Sequence, residues 1–165
     1  MKFLNSLVTT ALYALNLFSQ DLPIQNGELE QTSGIGFSYW TNQSIHGSNA
    51  FFDVVDNSEL LGSTKALRAE VNMLGSYQYS VQTKSNHQFS MESDQKVTIS
   101  FFAKANYSQQ APLIKLCLSD PSVGSAVFKQ ATFELTQTWK QYTYTFTSNE
   151  NVPSYQISFR YLNAN

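Results

Sequence analysis

The chain has 165 residues, the size of one compact domain with its own buried core. Charged residues make up only 13% of it and the formal net charge is -2, which excludes a strong basic field for nucleic acid or an anionic membrane. Aromatic residues reach 14%, a share that suits strands whose rings partly serve a binding face.

The first twenty residues have the pattern of a secretory signal peptide. Lys2 precedes an apolar stretch from Phe3 to Phe18, and small and polar residues follow. Polar residues interrupt this stretch, and it is shorter than the about 20 apolar residues of a membrane span. We therefore expect residues 1–20 to be a leader, residues 21–165 to be the mature domain, and the protein to be secreted or held at the cell surface.

Short segments with a period of two follow the leader, separated by glycine, proline and asparagine breaks. In VTISFFAK, for example, Val97, Ile99 and Phe101 alternate with polar or outward positions. The predicted strands are Phe51 to Val55, Ala66 to Asn72, Tyr77 to Gln82, Val97 to Ala105, Pro112 to Leu118, Ala131 to Leu135, Lys140 to Thr147 and Tyr155 to Tyr161. Eight strands without a helix in the mature chain predict an all-β, antiparallel sandwich of jelly-roll type.

The end of the sequence reads FRYLNAN, and Asn163 to Asn165 have the composition of a hairpin turn. The strand that would return from this turn is missing from the sequence. We therefore expect the last strand of the sandwich to be absent, unless the sandwich is completed in another way.

Three stretches resemble secreted carbohydrate-binding modules of families four, nine and twenty-two. They are IQNGELE, GSTKALRAEV, and the run GSYQYSVQ followed by VTISFFAKA and TWKQYTYTFT, in that order. The resemblance implies a jelly roll that binds a polysaccharide of the xylan or β-glucan class, beside a glycoside hydrolase. It also implies a ligand on the concave face of one sheet, where rings stack on sugars and polar groups reach the hydroxyls.

The resemblance and the alternation together indicate six ligand-binding candidates: Trp40, Tyr79, Phe102, Lys115, Gln156 and Arg160. The resemblance points to Tyr79 and Trp40 as site aromatics and to Lys115 as a basic residue in the cleft. Gln156 and Arg160 share one face of a strand and can donate to successive hydroxyls. Phe102 is an aromatic on the polar side of its strand.

Each candidate has a structural alternative. Trp40 can close the end of the sandwich as a core residue. Tyr79 can belong to the core with Val81, which would turn Gln82 to the ligand side, because a slip of one residue reverses the face. Lys115 and Arg160 can be ordinary surface charges, and a loop can cover Phe102.

The resemblance also implies a structural calcium ion, because modules of this kind hold one near the first strand. Glu28 and Glu30 in NGELE match that part, and carboxylate oxygens suit Ca²⁺. An aspartate on the last strand would be the other part, and the sequence stops before it. No other cofactor is expected.

Residues with catalytic chemistry are sparse. A glycosidase needs two carboxylates that flank the scissile bond, and the acids of this chain are scattered. Its two histidines stand alone in polar loops, and Cys117, the one cysteine, cannot form an internal disulfide. We therefore predict a non-catalytic polysaccharide-binding module. The alternatives are an extracellular adhesion sandwich that binds protein and, less favoured, a small hydrolase.

Overall fold

Antiparallel strands make up the computed structural model, which describes residues 6–11, 32–33, 36–59, 65–123 and 126–162. A short 3-10 turn covers Pro121–Val123. The strands are β1 (Ser6–Ala11), β2 (Thr32–Ser33), β3 (Gly36–Phe37), β4 (Trp40–Ser44), β5 (Asn49–Asp56), β6 (Lys65–Met73), β7 (Val81–Ser85), β8 (Phe89–Met91), β9 (Lys96–Asn106), β10 (Leu113–Asp120), β11 (Ala126–Glu134), β12 (Lys140–Thr147) and β13 (Val152–Leu162).

Two sheets form the sandwich. One has five strands in the order β12-β9-β1-β6-β5, and the other has the order β11-β10-β13-β7-β4, with β8 paired to β13. Strands β2 and β3 form a separate small hairpin. The predicted all-β antiparallel sandwich is therefore confirmed. Within the described ranges, no helix is long and apolar enough to cross a membrane.

The core lies between the two sheets and is built by alternation. On β9, Val97, Ile99 and Phe101 point inward, and on β13 Phe159 and Tyr161 meet them from the opposite sheet. The Phe101 ring is fully buried, and its centroid lies 4.9 Å from that of Phe159. Each such ring removes a large apolar area from water, which is the main stabilisation of a sandwich.

Seven of the eight predicted strands appear within a few residues of their expected bounds. The eighth, predicted at Tyr77 to Gln82, is wrong in its bounds, because β7 begins only at Val81. The amide of Ser80 donates to the Tyr77 carbonyl at 3.0 Å, so residues 77–80 form a turn instead. Strands β1, β2, β3, β4 and β8 were not predicted.

Strand β1 lies inside the stretch predicted to be a leader. It is antiparallel to β6 and to β9, with five residue pairs on each side. The pairs with β6 run from Ser6 opposite Val71 to Thr10 opposite Leu67, and those with β9 run from Leu7 opposite Asn106 to Ala11 opposite Phe102. In this structure the segment is thus the middle strand of the five-stranded sheet. Removal of the leader remains a prediction, as does the turn at Asn163 to Asn165, which falls outside the described residues.

Truncation of Phe101 tests the core. We expect Phe101→Ala to lower the free energy of unfolding by about 3–5 kcal/mol, because a ring packed on all sides leaves a cavity. Phe51→Ala is the matched control, since that ring is 54% exposed and its loss is expected to cost less than about 0.5 kcal/mol. Urea denaturation checks both values, and similar losses in the two variants would contradict this core.

Deletion of residues 1–20 tests the place of β1. We expect the shortened chain to lose several kcal/mol of unfolding free energy, because β6 and β9 lose a partner and each missing backbone hydrogen bond costs about 1 kcal/mol. Thermal denaturation of the full chain and of residues 21–165 compares the two. Equal midpoints would show that β1 does not stabilise the sheet.

Candidate functional site

A groove of about 440 Å³ lies on the outer face of the six-stranded sheet, the face turned away from the core. Its volume is within the about 300–1,000 Å³ usual for ligand sites. Amide, hydroxyl and cationic side chains from β4, β7, β10 and β13 dominate its lining, together with Tyr79, Ile45 and Val127. We call this surface the groove.

Strand register sets one row of polar side chains side by side. Lys115 on β10 lies opposite Arg160 on β13, Arg160 lies opposite Gln82 on β7, and Gln82 lies opposite Gln43 on β4. Neighbouring strands are about 4.8 Å apart, so the row is continuous. The Gln82 Nε2 donates to Gln43 Oε1 at 2.8 Å, which orients both amides along the row.

A second row runs parallel to the first. Cys117 on β10 lies opposite Ser158 on β13, and Ser158 lies opposite Lys84 on β7. Beyond it, Ser119 lies opposite Gln156, whose amide donates to the Ser85 carbonyl. The groove therefore offers hydroxyl, amide and ammonium groups at a regular spacing.

The floor of the groove is buried although it faces away from the core. Ser119 and Ser158 are each 3% exposed and Gln82 is 8% exposed. Cys117, which lies opposite Ser158 but does not line the groove, is 0% exposed. A flat sheet face would leave such side chains open to water. Surrounding side chains and the neighbouring loops therefore make this face concave, which is the shape that a bound chain requires.

Two buried polar atoms in the groove have no hydrogen-bond partner among the described residues. They are the hydroxyl oxygen of Ser158 and Nε of Arg160. Leaving a buried polar group unsatisfied costs about 1–3 kcal/mol. Adjacent unsatisfied groups in a concave site indicate a place where a ligand supplies the missing partner.

An aromatic cluster borders the groove, with Tyr77 and Tyr79 on the loop between β6 and β7 and His46 on the turn between β4 and β5. Tyr79 and Tyr77 stack at 5.2 Å with an angle of 8° between their planes, and His46 meets both rings edge-on at 5.5 Å and 5.1 Å. The Arg160 guanidinium lies 5.8 Å from the centroid of Tyr79. Tyr79 therefore joins the aromatic cluster to the first polar row.

Glycine is required at the start of this loop. A Cβ at Gly75 would lie 2.5 Å from Ser80 Oγ and 2.6 Å from the His46 carbonyl oxygen, which is closer than real contacts allow. The same region is held by the Tyr77 amide, which donates to Ser80 Oγ at 3.1 Å, and by the Ile45 amide, which donates to the Ser80 carbonyl at 2.9 Å. The position of Tyr79 is thus set by tight backbone packing.

A second depression of about 380 Å³ adjoins the groove and is bordered by Tyr77, Leu113 and Thr132. Lys115 belongs to its lining, and Lys115 Nζ donates to Gln78 Oε1 at 2.7 Å. This hydrogen bond links β10 to the loop that carries Tyr79. Lys115 thus stands where the second depression meets the first polar row.

Four of the six predicted binding residues come together on this surface. Tyr79, Gln156 and Arg160 line the groove, and Lys115 stands beside Arg160. The sequence left open whether Tyr79 or Gln82 faces the ligand. In the structure both line the groove, because Tyr79 lies in the turn before β7 and Gln82 lies on β7 itself. The binding roles of these residues remain predictions.

Trp40 does not lie in the groove, and this corrects the expectation that it is a site aromatic. It is 8% exposed, belongs to the core cluster and packs against Phe159 at a centroid distance of 6.2 Å. Trp40 is the first residue of β4 and lies opposite the buried Ser85. Its position on the inner face of the sheet turns the indole into the sandwich.

Phe102 is also absent from the groove. It lies on β9 in the five-stranded sheet, opposite Gln141, and is half-buried on the outer face there. The alternation predicted its face correctly, but that face belongs to the other sheet. Glu28 and Glu30 lie outside the described residues, so the calcium site remains a prediction.

Sequence reasoning missed several groove residues, above all Gln43, Lys84 and Ser158. Ser158 stands midway between Gln156 and Arg160 on β13, so the same alternation would have found it. Gln43 and Lys84 depend on the placement of β4 and β7, which the sequence did not reveal.

No protein-family model matches the chain, and no curated protein matches it. Several solved structures are similar to it in fold. One, described as "CBM4 structure and function", has a TM-score of 0.60 and 19% identity, and the match covers 86% of this chain and 90% of that chain. Another, the enzymatically active domain of bacteriophage CBA120 tailspike protein 4, has a TM-score of 0.50 and 11% identity over 77% of this chain and 18% of that chain.

These identities are low, so the likeness concerns the fold. The chain has the β-sandwich fold of a carbohydrate-binding module of the family 4 type. Fold alone does not assign a ligand, because sandwiches serve many functions.

Cys117 reports on the geometry of the groove floor. Burial raises the pKa of its thiol, and the nearby Arg160 and Lys115 cations oppose this only in part. Since the thiolate is the reactive form, we expect Cys117 to react with a thiol reagent at neutral pH more than about tenfold more slowly in the folded than in the urea-unfolded protein. Ser108→Cys in a Cys117→Ser background is an exposed control, and equal rates for Cys117 and that control would contradict a closed floor.

Proposed function

We propose that the protein is a non-catalytic module that binds a polysaccharide in the groove. The observation that carries this proposal is the pair of parallel polar rows beside the ring of Tyr79, in a concave site with an unsatisfied Ser158 hydroxyl. A pyranose has apolar C–H faces and a polar rim, so it requires a ring to stack on and donors and acceptors around it. The likeness to a family 4 carbohydrate-binding module supports the same assignment.

The proposed ligand class is xylan or β-glucan. In this proposal the module is secreted or held at the cell surface and keeps a glycoside hydrolase close to its substrate. Binding by such a module breaks no bond. A polar groove without paired carboxylates in its described lining favours this function over a hydrolase, which needs two acids across the bond.

An adhesion sandwich that binds protein is the second candidate. It would present its outer aromatics as a flat apolar patch, because protein interfaces bury such patches. Among the described residues, the large exposed hydrophobic side chains include Phe51 and Tyr77. Phe51 lies on β5 and Tyr77 lies on the loop between β6 and β7, so they belong to different elements. The concave polar groove therefore supports the glycan over the protein ligand.

Affinity gel electrophoresis of the full chain against soluble xylans and β-glucans tests the proposal. We expect retardation by at least one glycan and an affinity about tenfold lower in Tyr79→Ala, because the stacking ring is lost. Tyr79→Phe keeps the ring and should retain most of the binding. Circular dichroism confirms that each variant is folded.

Phe51→Ala is the matched control, because it removes an exposed aromatic ring from the other sheet. Its binding should equal that of the unchanged chain. No retardation by any glycan, or equal weakening by Tyr79→Ala and Phe51→Ala, would refute the proposed function.

A further inference from the structure

Three cations meet on the surface of the proposed glycan site. Lys115 and Arg160 lie directly opposite each other on neighbouring strands, and Lys84 lies opposite Ser158, two residues along β13 from Arg160. Like charges at directly opposite positions of a sheet destabilise it. The fold therefore holds these cations together at a cost, and a bound anion would relieve that cost.

None of the described ion pairs includes Lys84, Lys115 or Arg160. The described lining of the groove and of the second depression contains no acidic residue. Glu134 shares the outer face, on the edge strand opposite Leu113, but it forms no ion pair with Lys115. Lys115 instead donates to the neutral amide of Gln78.

The described ion pairs involve a different surface. They are Lys65 with Asp56, Arg68 with Asp53 and Lys104 with Glu59, and each has at least one partner on a strand of the five-stranded sheet. The whole chain has ten basic and twelve acidic residues, so its net charge hides this separation. A concave site lined by one sign of charge focuses the field and attracts a ligand of the opposite sign.

The donors near Arg160 suit an acidic group better than a neutral hydroxyl. Its guanidinium is packed over the Tyr79 ring, its Nε is buried without a partner, and the unsatisfied Ser158 hydroxyl lies two residues away on the same face. An oxyanion accepts several such hydrogen bonds at once, and a charge-assisted bond is about twice as strong as a neutral one.

We propose that the ligand of the groove is an acidic polysaccharide, whose sugar rings carry carboxylate or sulfate groups that are bound by Lys84, Arg160 and Lys115. This inference rests on the proposed function and narrows its ligand class. Within that class, a xylan with uronic acid side groups has the required chemistry: the aromatic cluster of Tyr77 and Tyr79 offers a ring to a backbone sugar, and the cations receive the carboxylate.

Isothermal titration calorimetry of the full chain tests the charge requirement. The probes are glucuronoxylan and the same polymer after chemical reduction of its carboxyl groups, which keeps the backbone but removes the charge. We expect the acidic form to bind at least about tenfold more tightly than the reduced form, since one charge-assisted hydrogen bond contributes a binding free energy of that size. Its affinity should fall as salt rises from about 0.01 M to about 1 M, where the screening length drops from about 30 to about 3 Å.

Lys84→Gln should reduce binding of the acidic xylan about tenfold and leave binding of the reduced xylan unchanged. The control is Lys96→Gln, which removes an exposed lysine of the five-stranded sheet and should change neither affinity. Dextran sulfate and dextran form a second pair of probes. A preference for dextran sulfate over dextran that is lost in Lys84→Gln but not in Lys96→Gln supports the proposal. That result assigns sulfate as the group that is bound.

The outcomes separate the two proposals. Equal, salt-independent binding of the acidic and reduced xylans would overturn the acidic ligand and keep polysaccharide binding. Equal losses of affinity for the acidic xylan in Lys84→Gln and Lys96→Gln would show non-specific ion exchange. That result would also overturn the acidic ligand. No binding of any xylan, β-glucan or charged polymer would refute the proposed function itself.

Discussion

The register of β13 against β10 and β7 is the constraint on which both the core and the groove depend. Ile157, Phe159 and Tyr161 are each 2% exposed on one face of this strand, and Gln156 and Arg160 line the groove from the other. A slip of one residue would exchange the two sets. Because burial of a large apolar side chain contributes about 1.5–3 kcal/mol, exposing three of them would cost about 5–9 kcal/mol. Core packing thus sets the spacing of the polar rows.

The sequence predicted best where alternation is long and apolar on one side. The strand predicted at Val97 to Ala105 is observed as Lys96–Asn106, and β12 has its predicted bounds. The alternation of Tyr77, Tyr79 and Val81 predicted a strand from Tyr77, but β7 begins only at Val81. There, the contact of Gly75 with the His46 carbonyl oxygen and the turn closed by Ser80 override the local pattern. The approach of Gly75 to His46 joins residues far apart in sequence, so no local pattern reveals it.

Trp40 and Phe102 show a second limit of local reasoning. Alternation assigns a side chain to one of two faces of its strand, but the sheet to which the strand belongs depends on pairing with distant segments. Phe102 faces outward as expected and still lies on the five-stranded sheet. Strand β1 shows the same limit, because Val8, Thr9 and Thr10 suit a β-strand as well as the middle of a leader. Composition alone cannot separate these two roles.

Net charge was a poor guide to the site for a related physical reason. It sums over the whole surface, whereas a ligand feels the field within about one screening length, about 8–10 Å at moderate salt. The pairs Arg68–Asp53 and Lys104–Glu59 cancel within themselves, but Arg160 and Lys115 reinforce each other across neighbouring strands. A sandwich that placed these two cations only for solubility would gain more by separating them, since adjacent like charges oppose folding. Their adjacency in a concave site, beside an unsatisfied hydroxyl, is therefore better explained by a ligand than by the stability of the fold.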